Sequence, residues 1–425
     1  MTLLAILFFL LMFLGLPIAF AIGIAGFSFF VASGTVPIGI GVQQIATASQ
    51  SFPLLAVPFF VLAGHMMNKT GITTRLIACS NVLVSWLAGG LAQVCILLST
   101  LMGGVSGSAV ADAAMEARIL GPNMIRTGYS RGFTASVIAV GSLITATIPP
   151  SLGLILYGFV GNVSIGRLFL AGVIPGLMMM AGLMVTVWLI ARRRGYQPAA
   201  KEPPGAAAVW RAIVDAKWAL MFPLALLIGI RGGVFTPSEI GAFAVVYAVA
   251  VGVFAHGELT WNSFVEALGE SVLDIGVIML IILFSGMVGY ALIFEQAPQT
   301  IAEAMLQLSR EPLLIVLMIL IFLFIAGLFV ESTVLVLLLT PIFVPIVRDI
   351  GVDTVHFGIL MMSIVTLGSM TPPVGVAMYT VCGILDCPVD EYVVEALPFV
   401  GTILTVVAIL ALWPGLVLWL PNLVM

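Results

Sequence analysis

From residue 3 to residue 420 the chain is a succession of apolar blocks longer than about 18 residues, separated by short polar intervals. No strand-like alternation of apolar and polar positions appears, which excludes a β-barrel. The pattern predicts an all-α polytopic membrane protein with roughly ten crossings. The first block, residues 3–31, lacks the basic start and short apolar core of a cleaved signal and is expected to be retained. Two blocks are interrupted at their middles. Residues 87–120 are broken by Gly103-Gly104-Val105-Ser106-Gly107-Ser108, and residues 313–347 by the stretch 327–333. An arm of about 15 residues reaches roughly 23 Å, short of the ~30 Å hydrocarbon core, so each block fits a re-entrant hairpin better than two crossings. Glycine- and hydroxyl-rich backbone at that depth is tolerated only where protein or water satisfies it. The tips therefore mark a cavity.

A span with a Pro-Pro break follows each hairpin: Thr145-Ala146-Thr147-Ile148-Pro149-Pro150-Ser151 within residues 133–159, and Gly368-Ser369-Met370-Thr371-Pro372-Pro373-Val374-Gly375 within residues 356–381. Two prolines remove two amide donors and push the preceding residue out of helical geometry, leaving carbonyls free. Such carbonyls, with hydroxyls from the neighbouring tip, are hard oxygen ligands for a small alkali cation, and half-helix N-termini opposite them can receive an anion. The expectation is a cation-plus-anion site, twice over.

The two halves are related. At a constant offset of 223, Gly104 meets Gly327, Pro122 meets Pro345, Gly128 meets Gly351, Pro149-Pro150 meets Pro372-Pro373 and Pro175 meets Pro398. Between them lies the one clearly polar interval, 192–217, where Arg192, Arg193, Arg194, Lys201, Arg211 and Lys217 face only Glu202 and Asp215. Its basic excess makes it cytoplasmic. The organisation expected is a first repeat over 1–191, a basic cytoplasmic linker over 192–217 and a second repeat over 218–425. Three crossings, near 219–229, 240–255 and 274–292, separate the linker from the second hairpin, so the repeats are expected to be inverted in topology.

Composition sharpens this picture. Only 8% of the residues are charged, against roughly a quarter in a soluble domain, so the chain is not a soluble globular protein. A net charge of −4 implies no nucleic-acid partner. Cys79, Cys95, Cys382 and Cys387 sit singly among apolar residues and match no zinc or disulfide spacing. Glu331 is the one acidic residue in the second hairpin, where an unpartnered charge is costly, and reads as functional. Asp112 and Glu116 share a helical face on the exit arm of the first hairpin; either they pair with Arg118 or they stand behind the site. His65, His256 and His356 are scattered and read as core or interface residues.

The string Gly104-Val105-Ser106-Gly107 also matches the GxSG of intramembrane serine proteases, but His356 lies at the start of its span, where it makes a poor base. A fuller resemblance covers essentially the whole chain. Gly104-Val105-Ser106-Gly107-Ser108-Ala109, Ile148-Pro149-Pro150-Ser151 with Tyr157-Gly158, Leu168-Phe169-x-Ala171-Gly172-x-x-Pro175-Gly176, and Thr371-Pro372-Pro373-Val374-Gly375 resemble the large membrane subunit (DctM type) of TRAP transporters.

That resemblance implies a sodium-driven secondary transporter of the bacterial inner membrane. A hairpin-bearing transport domain would move elevator-fashion against a scaffold. It implies no cofactor beyond sodium as the coupling ion. The implied partners are a small four-helix membrane subunit, supplied here by a separate chain, and a periplasmic binding protein delivering an organic anion such as a C4-dicarboxylate or a sialic acid. Carried onto this sequence, a first sodium site would use Ser106, Ser108, Thr145, Ile148 and Pro150, and a second Ser332, Thr333, Gly368, Met370 and Thr371. Substrate would meet Ser106, Ser108, Pro150, Ser151, Glu331, Ser332, Thr333, Thr371 and Pro373. Thr145 departs from the glycine found at the matching Gly368, which puts close packing in question. A stand-alone sodium/dicarboxylate symporter of related fold and an intramembrane hydrolase are the competing readings.

Overall fold

The computed structural model describes residues 2–200, 202–232 and 234–425, so Lys201 of the basic interval lies outside the described residues. Among the described residues every regular element is helical. Also among the described residues, five helices are long and apolar enough to cross a bilayer, Ile165–Arg194, Ser238–Ala255, Trp261–Phe294, Ser332–Asp349 and Val389–Leu412, or up to seven if each of two bent pairs is one span.

Two groups of helices can be followed. In the first, Ala56–Lys69 lies along both Pro237–Ala250 and Trp261–Phe294, and the latter continues against Ile18–Ser33 and Ile38–Ser49. The second group holds the chain reversals. Gly90–Gly103 turns back as Ala109–Ile119, and Pro312–Gly327 turns back as Ser332–Asp349. Each outgoing arm packs on the helix that follows the other half's Pro-Pro break: Ala109–Ile119 on Val376–Leu385, and Ser332–Asp349 on Leu152–Val160.

Local chemistry sets where these elements begin. Arg131–Gly141 starts behind Ser130, whose hydroxyl accepts from Phe133 N at 3.2 Å. Thr354–Gly368 starts behind Asp353, whose carboxylate accepts from Val355 N at 2.7 Å and His356 N at 3.2 Å. The two caps are 223 residues apart, the spacing at which glycines and prolines recur. At the first break, Arg131–Thr147 and Leu152–Val160 are bent by 45°. Both Pro-Pro peptide bonds are cis.

Some elements differ from the sequence-based expectation. The basic interval is not a plain linker, because Ala206–Asp215 is helical within it and bends by 65° into the next helix. The helix that contains the crossing expected at 274–292 begins earlier, at Trp261, and Glu266, Glu270 and Asp274 on its first turns find partners on a neighbouring helix.

Candidate functional site

The first tip and its break meet backbone to backbone. Gly107 adopts φ +67° and lies against the Pro150 carbonyl, where a Cβ would collide. Its own carbonyl accepts from Leu152 N at 3.4 Å. Proline at 149 offers no N–H, so the Thr145 carbonyl has lost its helical donor. Leu152 N is directed at Gly107, so the Ile148 carbonyl has lost its donor too. The Ala146 carbonyl is instead satisfied by the Ser151 hydroxyl at 2.5 Å, and that same hydroxyl accepts from Leu154 N at 3.3 Å. Ser151 thus splices the two half-helices, its hydroxyl donating once and accepting once.

Behind this tip sits a buried polar cluster. The Ser106 hydroxyl donates to Asp112 Oδ2 at 2.6 Å. Glu116 accepts from the Ser99 hydroxyl at 2.8 Å and the Cys95 thiol at 2.9 Å. Thr145 donates its hydroxyl to the Ser99 carbonyl at 2.9 Å. Close packing at the Thr145 position is kept because Gly103, on the hairpin, supplies the space: a Cβ there would stand 3.3 Å from Thr145 Cα. Ser106, Ser108, Asp112 and Ser106's neighbour across the cleft, Gly64, line a cavity of about 400 Å³ together with His65, Asn68 and Asp274.

The second tip docks by a different bond pattern. The Leu328 carbonyl accepts from both Val374 N at 3.1 Å and Gly375 N at 3.2 Å. Gly327 and Gly368 cross so closely that a Cβ on Gly368 would sit 2.6 Å from Gly327 Cα, which explains glycine on both sides. Glu331 caps the outgoing arm, accepting from Thr333 N at 2.8 Å and Val334 N at 3.3 Å. It also takes the hydroxyls of Ser332 and Thr333, each at 2.9 Å. The Gly368 carbonyl accepts from Thr371 N at 2.9 Å, and the Met370 carbonyl from the Tyr392 hydroxyl at 2.7 Å. Thr371 donates to the Leu367 carbonyl at 2.7 Å. Pro150 is buried, whereas Pro373 is exposed.

Of the first set, Ser106 and Ser108 line the cavity beside the first tip, whereas Thr145, Ile148 and Pro150 lie on the broken helix that the hairpin packs against. In the second set, Ser332 and Thr333 stand on the hairpin and Gly368, Met370 and Thr371 on the broken span; the two carbonyls each keep one lone pair, and the three hydroxyls, which donate, keep both. Arg118 is exposed and pairs with neither Asp112 nor Glu116, which corrects the first of the two readings for those acids: serines and a cysteine satisfy them. Among the described residues no histidine hydrogen-bonds the GxSG serine: Ser106 bonds Asp112, His65 in the same cavity faces Asp274 and Glu270, and His356 Nε2 lies 2.9 Å from the Leu410 carbonyl. All four cysteines are free and buried. Sequence reasoning missed Ser99, Cys95 and Tyr392 as partners. It also missed that His65 Nε2 lies 2.8 Å from Asp274, a contact across 209 positions with no local signature.

Helices that reverse inside an apolar bundle, docked on proline-broken spans, define a helical membrane transporter. The fold agrees: the chain superposes on the YdaH transporter of Alcanivorax borkumensis with a TM-score of 0.65, over 88% of this chain and 87% of that one, at 11% identity. Residues 5–416 match the family model of the tripartite ATP-independent periplasmic transporter DctM component. The chain is 36% identical over 413 residues to the sialic acid TRAP transporter large permease protein SiaM of Vibrio cholerae, covering 97% of this chain and 96% of that protein. It is 34% identical over 409 residues to the isethionate TRAP transporter permease protein DctMQ of Oleidesulfovibrio alaskensis, covering 96% of this chain and 64% of that longer protein. The chain belongs to the DctM family of TRAP transporters. It is a large permease subunit of the bacterial inner membrane, a transport protein and not an enzyme.

Proposed function

We infer that this permease imports an organic acid by coupling to sodium, moving its two hairpins and broken helices as one body against the remaining helices. The observation that carries the reading is the docking of each hairpin tip on the other side of a Pro-Pro break, through Gly107 with Leu152 and through Leu328 with Val374 and Gly375. This frames backbone carbonyls without helical donors beside serine and threonine hydroxyls, the donor set a small hard cation takes. At the first tip the ion would use Ser106 and Ser108 with the carbonyls of Thr145, Ile148 and Pro150. At the second it would use the remaining lone pairs of Ser332, Thr333, Gly368, Met370 and Thr371, with Glu331 holding the two hydroxyls in place. The two halves act as inverted repeats, which is how one cargo position can face either side in turn.

The cargo is an anion meeting Ser108, Thr371 and the exposed backbone at Pro373. The relatives named above handle a sialic acid and isethionate, one a carboxylate and the other a sulfonate, so the shared requirement is an organic anion; a C4-dicarboxylate or a sialic acid fits it. A periplasmic binding protein delivers the cargo, and a small four-helix subunit completes the membrane complex. The test is uptake into vesicles holding both membrane subunits with loaded binding protein outside. An inward sodium gradient drives accumulation; accumulation that is the same without sodium overturns the coupling, and accumulation without binding protein favours a self-sufficient symporter.

A further inference from the structure

The basic interval between the two halves is built for a purpose that neither hairpin serves. Helix Ala206–Asp215 lies inside it, about 15 Å long and too short to cross a bilayer, and none of its residues is buried. Its two faces differ. Ala208, Arg211, Ala212 and Asp215, three or four positions apart, look across a recess of about 770 Å³ towards helix Ile72–Val84. Trp210 and Ile213 stand on the other face, and Trp210 is 68% exposed. An apolar stripe opposite a charged one on a short helix is the form that lies in the plane of a bilayer surface. Other tryptophans border the same interval. Arg192 lies 4.4 Å over the Trp188 ring, Lys217 lies 5.4 Å from the Trp218 ring, and Trp86 follows Ser85, whose carbonyl accepts from Ala199 N at 2.9 Å. Tryptophans and cations gathered in this way mark the headgroup level of the cytoplasmic leaflet.

The charges on the recess do not cancel. Arg75 spends its Nη1 on Glu258 at 2.8 Å and on the Gly71 carbonyl at 2.9 Å. Arg211, Lys217 and Asp215, on the same wall, form no ion pair among the described residues. His256, also on the wall, is engaged through Nδ1 with the Thr70 carbonyl at 2.7 Å. Three cations against two carboxylates leave one positive charge, and two of the cations lack a carboxylate partner. A phosphodiester carries the single negative charge that matches. Below the recess the surface turns apolar: from Lys217 the next helix continues with Met221, Leu224 and Ile228 exposed at the same three- and four-residue spacing. That stripe runs about 17 Å, roughly the depth of one leaflet. Unpaired cations at headgroup level above a lipid-facing stripe one leaflet deep describe the two ends of a phospholipid.

We propose that the recess between helices Ile72–Val84 and Ala206–Asp215 binds the phosphodiester of an anionic phospholipid of the cytoplasmic leaflet, with Arg211 and Lys217 as its phosphate ligands and Met221, Leu224 and Ile228 along its acyl chain. The site is independent of how the permease is driven. The test takes the purified complex of large and small subunits in detergent. Dioleoylphosphatidylglycerol raises its unfolding temperature saturably, dioleoylphosphatidylcholine raises it less, and inorganic phosphate does not raise it. Arg211→Gln combined with Lys217→Gln increases the half-saturating phosphatidylglycerol about thirtyfold, roughly fivefold for each cation. Arg192→Gln combined with Arg193→Gln removes the same charge from the same interval outside the recess, and leaves half-saturation where it was. A second measurement needs no charge variant: in vesicles, phosphatidylglycerol brominated on its acyl chains quenches Trp210, read as the difference between the unaltered complex and Trp210→Phe. Equal stabilisation by the two lipids, or an equal loss in the two paired variants, reduces the effect to diffuse attraction and overturns the site. Stabilisation by inorganic phosphate makes it a site for a free anion, and a Trp210 that brominated lipid cannot reach because the small subunit covers it gives the face to a protein; either result overturns the proposal.

Discussion

The two hairpins share a spacing of glycines and prolines and differ in almost everything between them. At the 223-residue offset, Cys95, Ser99, Ser106, Asp112 and Glu116 of the first meet Met318, Phe322, Phe329, Leu335 and Leu339 of the second. Where the first tip borders a polar cavity, the second borders an apolar one of about 390 Å³ lined by Leu4, Phe8, Phe322, Phe329, Leu335 and Leu339. At the tip itself the order reverses, since Ser108 of the first corresponds to Glu331 of the second. One hairpin keeps its carboxylates behind the turn, and the other keeps a single carboxylate on it. Glycine and proline preserve the reversal and the break, while the side chains are free to give each half its own work.

The comparison can be broken hardest at the Gly327–Gly368 crossing. Gly368→Ala drives a Cβ into the backbone of Gly327 and the carbonyl of Phe324, atoms that cannot swing aside. Overpacking of this kind costs about 1–3 kcal/mol or more, and the yield of folded, uptake-competent transporter should collapse. Thr145→Gly, the reciprocal change, loses one hydrogen bond and stiffens nothing, costing about 1–2 kcal/mol by thermal unfolding in detergent. Equal effects of the two would mean that the halves pack alike after all. Next in size, Asp112→Leu gives the first hairpin the residue of the second and leaves Ser106 without its acceptor. Uptake should fall at least about tenfold, more than the loss of a single neutral hydrogen bond explains.

Smaller effects sharpen the contrast at the hydroxyls. Ser332→Ala removes one proposed oxygen ligand and should raise the sodium needed for half-maximal uptake; Ser106→Ala should raise it further, because it also strips the partner of buried Asp112. The smallest change is Glu331→Gln, which weakens an N-cap by about 1 kcal/mol. It should lower the unfolding temperature by a few degrees while shifting sodium dependence less than Ser332→Ala does. The opposite ranking would make Glu331 a ligand in its own right.

What the sequence made legible was the backbone chemistry, because proline and glycine act on their own neighbourhood. The reversals near Gly104 and Gly327, and the interruptions at Pro149 and Pro372, are local events that need no tertiary partner to be read. Partner choice was not legible. Asp112 could reach Arg118 along its helix or Ser106 across the turn, and only the turn's course, through Gly107 at positive φ, decides for the serine. Glu331 stood out as a lone charge in an apolar block, but neither its capping role nor the turning of Ser332 and Thr333 towards it could be read. In a chain this apolar, helical periodicity is blurred, since a lipid-facing residue and a buried one look the same. That is why the contact of His65 with Asp274 left no trace in either segment.

The bonds that moor the two tips also set an order of events. The first tip hangs on a single long amide bond, Leu152 N to Gly107 O at 3.4 Å, while the second hangs on two, from Val374 and Gly375. The weaker mooring is the one that slips first. In amide hydrogen exchange, Leu152 should therefore lose its protection ahead of Val374. Two latches of unequal strength make one tip the easier to release, an asymmetry that the matched glycines and prolines alone would not give.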